Sequence, residues 1–578
     1  MKVLMTYLRK YWKESFLAPL FKILEVLFDL LVPIVMASII NVGIRDHNNG
    51  YILRSCGLLV VYAVVGFGCT IAAQYFAAKA AVGCASGLRY GLFEHIESLG
   101  FSEMDTMGTD TLITRLTSDV NQVQSGVNLF LRLFLRSPFI VIGSMVMAFT
   151  INAKAALIFV VAIPVLAVIV FGVMLWTIPL YKKVQSRLDD VLGITRENLS
   201  GVRVIRAFNR QQSEVNHFEE ATQNLTNMQL HVGHISALMN PLTYLVINLA
   251  IIAILNTGAY QINTGGLLTG DVIALISYMT QILIELVKFA DLIIQSTKAM
   301  ACAGRIQAVM DTKPGMKFPA ELTGSPVSVN GENAVRFNHV SLKYTGAGSE
   351  SLTDIDFCAK PGQTIGIIGG TGSGKSSLVN LIPRFYDAVS GTVEIFGKPV
   401  QKWPKAALRG HIGMVMQKAQ LFSGTIRSNL LWGNGNATDD DLWSALKTAQ
   451  AADFVRAKEK GLDEPMEQGG RNLSGGQKQR LTIARALVKK PDILILDDSA
   501  SALDFATDAA LRKALAALPG SITVFIVSQR TSSLQQADRI LVLDDGRLVG
   551  SGTHAELLQD CEAYREIYES QFKKGGEH

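Results

Sequence analysis

A chain of 578 residues with 18% charged residues, a mean hydropathy of +0.27 and a formal net charge of +5 is too long for one ordinary domain and too apolar to be solvated by water alone. The positive balance does not point to nucleic acid, because Lys and Arg are scattered without a basic block or interleaved aromatics. Cys56, Cys69, Cys84, Cys302, Cys358 and Cys561 lack metal-ligand spacing, so free, inert thiols are expected.

The amino end, MKVLMTYLRKYWKES, is basic and amphipathic and lacks a short apolar run closing on a small-residue cleavage site. It reads as a helix lying on the cytoplasmic membrane face rather than a removed signal. Six segments then supply the roughly 20 apolar residues that a bilayer-crossing helix needs: Phe16–Ile40, Gly57–Ala78, Leu133–Ile151, Ala155–Leu180, Ile235–Ile262 and Val272–Thr297. The third is weakest, with Arg132 and Arg136 at its start; both cations are expected at the cytoplasmic interface.

The short connections Asn41–Tyr51, Asn152–Lys154 and Asn263–Asp271 hold only Arg45 and Lys154 among them. The other side holds Lys2, Arg9, Lys10 and Lys13, then Lys182, Lys183, Arg187, Arg196, Arg203, Arg206 and Arg210 after span four. Retention of cations inside makes both chain ends and the soluble part cytoplasmic, in a multi-pass protein of the cell membrane. The inside connections Lys79–Arg132 and Tyr181–His234 are long and helically periodic. They read as helices extending below the membrane, reversing at Phe101–Asp110 and Arg206–Ser213. Pro, Gly and polar residues over 311–331 mark a linker between a membrane domain at 1–310 and a soluble domain at 332–578.

In that soluble domain the apolar run Thr364–Ile368 is followed by GGTGSGKSS and a helical stretch. The spacing matches G-x-x-x-x-G-K-S/T, so Gly369, Gly370, Thr371, Gly372, Ser373, Gly374, Lys375, Ser376 and Ser377 are expected to hold ATP phosphates. Glycines let the backbone wrap a phosphate with its amides, Lys375 neutralises the outer phosphates, and the Ser376 hydroxyl ligates Mg²⁺. Further on, Ile493–Leu496 reads as a buried strand ending in Asp497, a second expected holder of Mg²⁺. The predicted fold class is therefore a membrane α-helical domain of six spans followed by an α/β P-loop nucleotide-binding domain.

Between those elements lies Leu473-Ser474-Gly475-Gly476-Gln477, opening the helix KQRLTIARALV, and here the chain resembles the ATP-binding cassette (ABC) exporters. The resemblance extends over the six spans, the long inside loops and ENLSGVRVIRAF. It implies that Ser474, Gly475, Gly476 and Gln477 cap the nucleotide of an opposing subunit, so that two cassettes close head to tail around two ATP molecules. By the same likeness Tyr344 in VSLKY stacks on adenine, Gln417 in GMVMQ touches Mg²⁺ and reports to the spans, and Asp504 in SASALD crosses the dimer interface.

Two positions depart from the family pattern. The residue after Asp497 is normally Glu, the base for the attacking water, and is here Asp498, one methylene shorter. Where the family has a switch histidine, Ser528-Gln529-Arg530 supplies Gln529, which donates a hydrogen bond but carries no charge. Both changes fall at the catalytic positions of one site beside an intact phosphate loop, which predicts ATP binding with slow hydrolysis. The pairing resembles the degenerate-site subunit of heterodimeric multidrug exporters, whose partner keeps Glu and His. A slow homodimeric lipid or peptide translocator and an ATP-gated membrane regulator are the alternatives. For cargo, amphiphilic compounds are expected by analogy. The charged residues Glu25, Asp29, Glu285, Lys288 and Asp291 and the aromatics Phe139, Phe149, Trp176, Tyr244 and Phe289 are candidates for a cavity lining. Lys22 with Glu25, and Glu285 with Lys288, are equally placed to pair along one helix face.

Overall fold

A computed structural model describes residues 2–321, 332–499, 501–518 and 522–572. Residues 322–331 of the expected linker and Ala500 of SASALD lie outside the described residues. The chain divides into two compact units, Met1–Glu97 with Thr109–Thr312, and Ser98–Gly108 with Lys313–His578.

Six helices of the first unit are long and apolar enough to cross a membrane: Trp12–Ile44, Asn49–Ser98, Thr109–Ile151, Ala153–Ser200, Gln211–Asn263 and Thr269–Asp311. Each contains one of the six apolar segments read from the sequence, and each runs past it. At about 1.5 Å per residue, the 48 residues of Ala153–Ser200 reach about 72 Å, more than twice a hydrocarbon core of about 30 Å. That helix starts sharply because the Asn152 carbonyl oxygen Oδ1 accepts from the amides of Lys154 and Ala155 at 3.0 and 3.1 Å. It stops at Gly201; after a short helix Val202–Ala207, Asn209 turns the chain at φ +51° before Gln211 opens the next long helix. This is the second reversal expected at Arg206–Ser213.

The bundle buries charge. Arg136 begins the second half of the third span, where residues 134 and 135 interrupt its helix, and it reaches carboxylates on spans one and six. Its Nη1 lies 2.6 Å from Glu25, Nη2 3.4 Å from Asp29, and Nε 3.5 Å from Glu285. Lys22 pairs with Glu25 at 2.6 Å, Lys288 with Glu285 at 3.0 Å, and the Ser137 hydroxyl donates to Glu285 at 2.9 Å. Three cations therefore meet three carboxylates on spans one, three and six; the buried Lys22, Glu25 and Glu285 are all paired, and the more exposed Asp29 and Lys288 complete the cluster. Both same-helix pairings anticipated from the sequence are present. That Arg136 joins them was not anticipated, because the sequence did not reveal that Glu25 and Glu285 approach the same point.

The second unit is built on two sheets. Strands β1 (Val335–Leu342), β2 (Leu352–Ala359), β4 (Ser390–Ile395) and β5 (Lys398–Pro399) form an antiparallel sheet in the order β2-β1-β4-β5. The larger sheet has the order β12-β11-β3-β10-β9-β6, using β3 (Thr364–Gly369), β6 (Ile412–Val415), β9 (Ile493–Asp497), β10 (Thr523–Val527), β11 (Arg539–Asp544) and β12 (Arg547–Gly552). The pair β7 (Gly424–Thr425) and β8 (Pro465–Met466) stands apart. From β11 to β6 the large sheet is parallel, and β12 closes one edge antiparallel. Every residue of β9 and β10 is buried, as expected of central parallel strands covered on both faces. The C-terminal ends of β3, β9 and β10 lie side by side, the place where α/β sheets present ligands.

Helix Phe101–Met107, at the first expected reversal, belongs to this second unit. The Phe101 ring lies 4.5 Å from that of Phe385, the Tyr386 hydroxyl donates to Asp105 at 2.6 Å, and the Ser102 and Thr345 hydroxyls are 2.9 Å apart. Burial and the Asp105 carboxylate together push the Tyr386 phenol well above its usual range.

Candidate nucleotide site

The glycine loop joins β3 to helix Lys375–Leu381. Gly374 sits at φ +93°, and a Cβ there would come within 2.7 Å of the Ser351 carbonyl oxygen. Only glycine satisfies both demands, which leaves the loop backbone bare where a phosphate approaches. Lys375 is buried and donates from Nζ to the carbonyls of Gly369 and Gly370 at 3.0 and 2.5 Å and, more weakly, to Ser373 Oγ at 3.4 Å. Among the described residues no carboxylate stands within ion-pair distance of it. Burial lowers its pKa, opposed by the more distant Asp498 and Asp497.

Asp497, at the buried end of β9, accepts from the Ser376 hydroxyl at 3.0 Å. Its pKa is raised, chiefly by burial and further by neighbouring Asp498, while Ser376 and Lys375 act against the shift. A buried ammonium held only by neutral oxygens and a buried carboxylate held by one hydroxyl fit a polyphosphate and the divalent cation it carries.

Asp498 has a left-handed backbone at φ +45°, its amide donating to the Val527 carbonyl at 3.1 Å. Its Oδ2 accepts from Gln417 Nε2 at 3.2 Å. Gln529, just past β10, is exposed and lines the same cavity of about 390 Å³ as Thr371, Gly372, Gly374, Lys375, Gln417, Asp497 and Asp498. Ser349, Glu350, Ser351, Asp545 and Gly546 line it too. These were not singled out in the sequence; the only local signal was Asp-Gly at 545–546, a turn dipeptide between β11 and β12.

Tyr344 stands beside the loop, its hydroxyl donating to Ser377 at 2.9 Å and its ring meeting Tyr386 edge-on at 4.9 Å. Ser474 and Asp504 are not brought into this cavity. Ser474 caps helix Gly475–Val488: its Oγ accepts from the Gln477 amide at 3.3 Å while the Gln477 side chain accepts from the Ser474 amide at 3.0 Å. Asp504 caps helix Phe505–Ala516, accepting from the Thr507 amide and hydroxyl at 2.9 and 2.8 Å, and the amide bond chiefly holds its carboxyl below the usual range.

A six-helix membrane unit joined to a P-loop nucleotide unit defines the class of ATP-powered membrane transporters. Residues 15–286 match the ABC transporter transmembrane region and residues 352–501 the ABC transporter family of ATP-binding domains. An uncharacterized ABC transporter ATP-binding protein of Bacillus subtilis (strain 168) is 37% identical over 576 residues, covering 100% of this chain and 99% of that protein. An ATP-dependent lipid A-core flippase of Hahella chejuensis is 32% identical over 574 residues, covering 99% and 97%. The structure of a bacterial Atm1-family ABC exporter with ATP bound superposes with a TM-score of 0.79 at 22% identity, covering 99% of this chain and 100% of that chain. The chain belongs to the ABC transporter family: it is a multi-pass membrane protein with the exporter fold, and its cassette binds ATP and couples hydrolysis to transport.

Proposed function

We propose that this chain is one half of an ATP-driven exporter whose own nucleotide site holds Mg²⁺ and ATP but hydrolyses slowly. Lys375 and the loop around Gly369–Ser377 hold the phosphates, Ser376, Asp497 and Gln417 hold the cation, and Tyr344 carries the adenine. The bound cation supplies charge compensation for the phosphates and for buried Asp497. Both chain ends and the cassette lie on the cytoplasmic side.

One observation carries the reading: the base position is filled by Asp498, whose short carboxylate is engaged by Gln417, and the facing switch position by uncharged Gln529. A carboxylate withdrawn by about one ångström from the roughly 2.6–3.2 Å reach of a general base forfeits much of a contribution of order 10²–10⁴. Ser474–Gln477 and Asp504, outside this cavity, serve the site of a second half-transporter, a different chain with Glu and His at the two positions. The likeness to a lipid A-core flippase favours an amphiphilic cargo, with drugs and lipids sharing that chemistry. The test is to purify this chain alone and with a second half-transporter. Brisk hydrolysis and ATP-dependent uptake of an amphiphile into inverted vesicles are expected only for the pair, and equal rates for the chain alone would refute it.

A further inference from the structure

The loop that presents Gln529 is gripped from two sides. On one side, helix Phe505–Ala516 supplies the Phe505 ring beneath the Arg530 guanidinium at 4.9 Å. The same helix supplies Asp508, which accepts from Ser533 Oγ at 3.0 Å, and Arg512, which donates to the Ser532 carbonyl at 3.1 Å. On the other side stands helix Glu562–Phe572, and Gln571 of it makes three hydrogen bonds to the loop. Gln571 Nε2 donates to the Gln529 carbonyl at 2.8 Å, while its Oε1 accepts from the Thr531 amide at 3.0 Å and the Thr531 hydroxyl at 2.9 Å. Tyr564, fully buried and 2.7 Å through its hydroxyl from His554 Nδ1, fixes the same helix. Gln571 follows Tyr564 by two helical turns and so shares its face.

We infer that Gln571 is a positioning residue for ATP hydrolysis: by holding the Gln529 carbonyl and Thr531 it sets where the Gln529 side chain enters the nucleotide cavity. The inference rests on the reading of Gln529 as the switch residue of this site. The primary amide of Gln571 donates to the Gln529 carbonyl through nitrogen while its oxygen accepts from the Thr531 amide and hydroxyl, so one side chain spans both loop positions. Thr531 is fully buried, and Gln571 ties it to the Gln529 carbonyl two residues before it. Helix Glu562–Phe572 thereby becomes a lever on the site: whatever binds or displaces it alters turnover without touching nucleotide.

The test is steady-state ATPase of the full-length protein in lipid nanodiscs. Gln571→Ala is expected to lower kcat about fivefold with KM for ATP within about twofold, because phosphate contacts are untouched. Gln571→Glu keeps an acceptor for Thr531 but sets a carboxylate oxygen against the Gln529 carbonyl, and is expected to lose at least as much kcat as the alanine variant; because the Thr531 anchor is retained, it also guards against poor folding of the alanine variant. In a Gln529→Ala background, Gln571→Ala is expected to add less than about 1.5-fold, since the side chain to be placed is gone. Unchanged kcat for Gln571→Ala, or the full loss repeated in the Gln529→Ala background, would overturn the inference while leaving the switch role of Gln529 intact. Turnover unchanged by Gln529→Ala would overturn that role and the inference with it.

Discussion

The two units bury charge to opposite ends. In the helical bundle Lys22, Arg136 and Lys288 are matched by Glu25, Asp29 and Glu285, so the cluster is closed on itself. In the cassette Lys375 and Asp497 are buried much as Lys22, Glu25 and Glu285 are, yet the lysine meets only carbonyl and hydroxyl oxygens and the aspartate one serine. The same electrostatic cost is met internally where the charges join helices, and left for a ligand to meet where they bind one. A buried ionisable residue therefore becomes a binding residue by what fails to surround it, not by its type.

That contrast is broken most directly at Lys375. Lys375→Ala removes the one cation of the phosphate loop, and Mg-ATP affinity is expected to fall about 100-fold or more by equilibrium binding, with no loss of thermal stability. Arg136→Ala should do the reverse. Glu25 keeps Lys22 and Glu285 keeps Lys288 and the Ser137 hydroxyl, so losing the cation they share is expected to cost less in thermal unfolding than the about 3–5 kcal/mol of a fully stranded buried charge, with nucleotide affinity unchanged. Replacing Lys22 by Met and Glu25 by Gln together removes one pair and leaves Arg136 with Asp29 and Glu285, and is expected to cost less than about 2 kcal/mol. Smallest is a surface pair. Asp441 is held down to about 2 by Lys490 and by the Thr438 cap, so its contribution is present above its ordinary 3.8 and lost as pH falls through about 2. Asp441→Asn should shift the melting temperature slightly at neutral pH and not at all near the lower limit.

The six spans were legible because lipid demands length and apolarity, and the phosphate loop because its backbone geometry admits few sequences. Both reversals were legible as polar interruptions, and they fall at helix Phe101–Met107 and at Asn209. What stayed hidden depends on distant parts of the chain meeting. The pairing of Arg136 was not legible, since nothing near it in sequence announces Glu25 and Glu285. Gln571 was passed over because its partners lie 42 and 40 residues upstream, a separation that no local pattern encodes. The reading of Asp498 rests on a position in a motif; its contact with Gln417 required the fold.

On the reading proposed above, the cassette binds ATP well and is slowed at Asp498 and Gln529, most of all by the short reach of the Asp498 carboxylate. ATP turnover before and after Asp498→Glu, measured alongside Mg-ATP affinity in the same preparation, tests it most directly. The account predicts unchanged affinity and turnover raised by about tenfold or more as the carboxylate regains its missing methylene. A wild-type chain already turning over briskly, or a glutamate variant no faster than its parent, would contradict it.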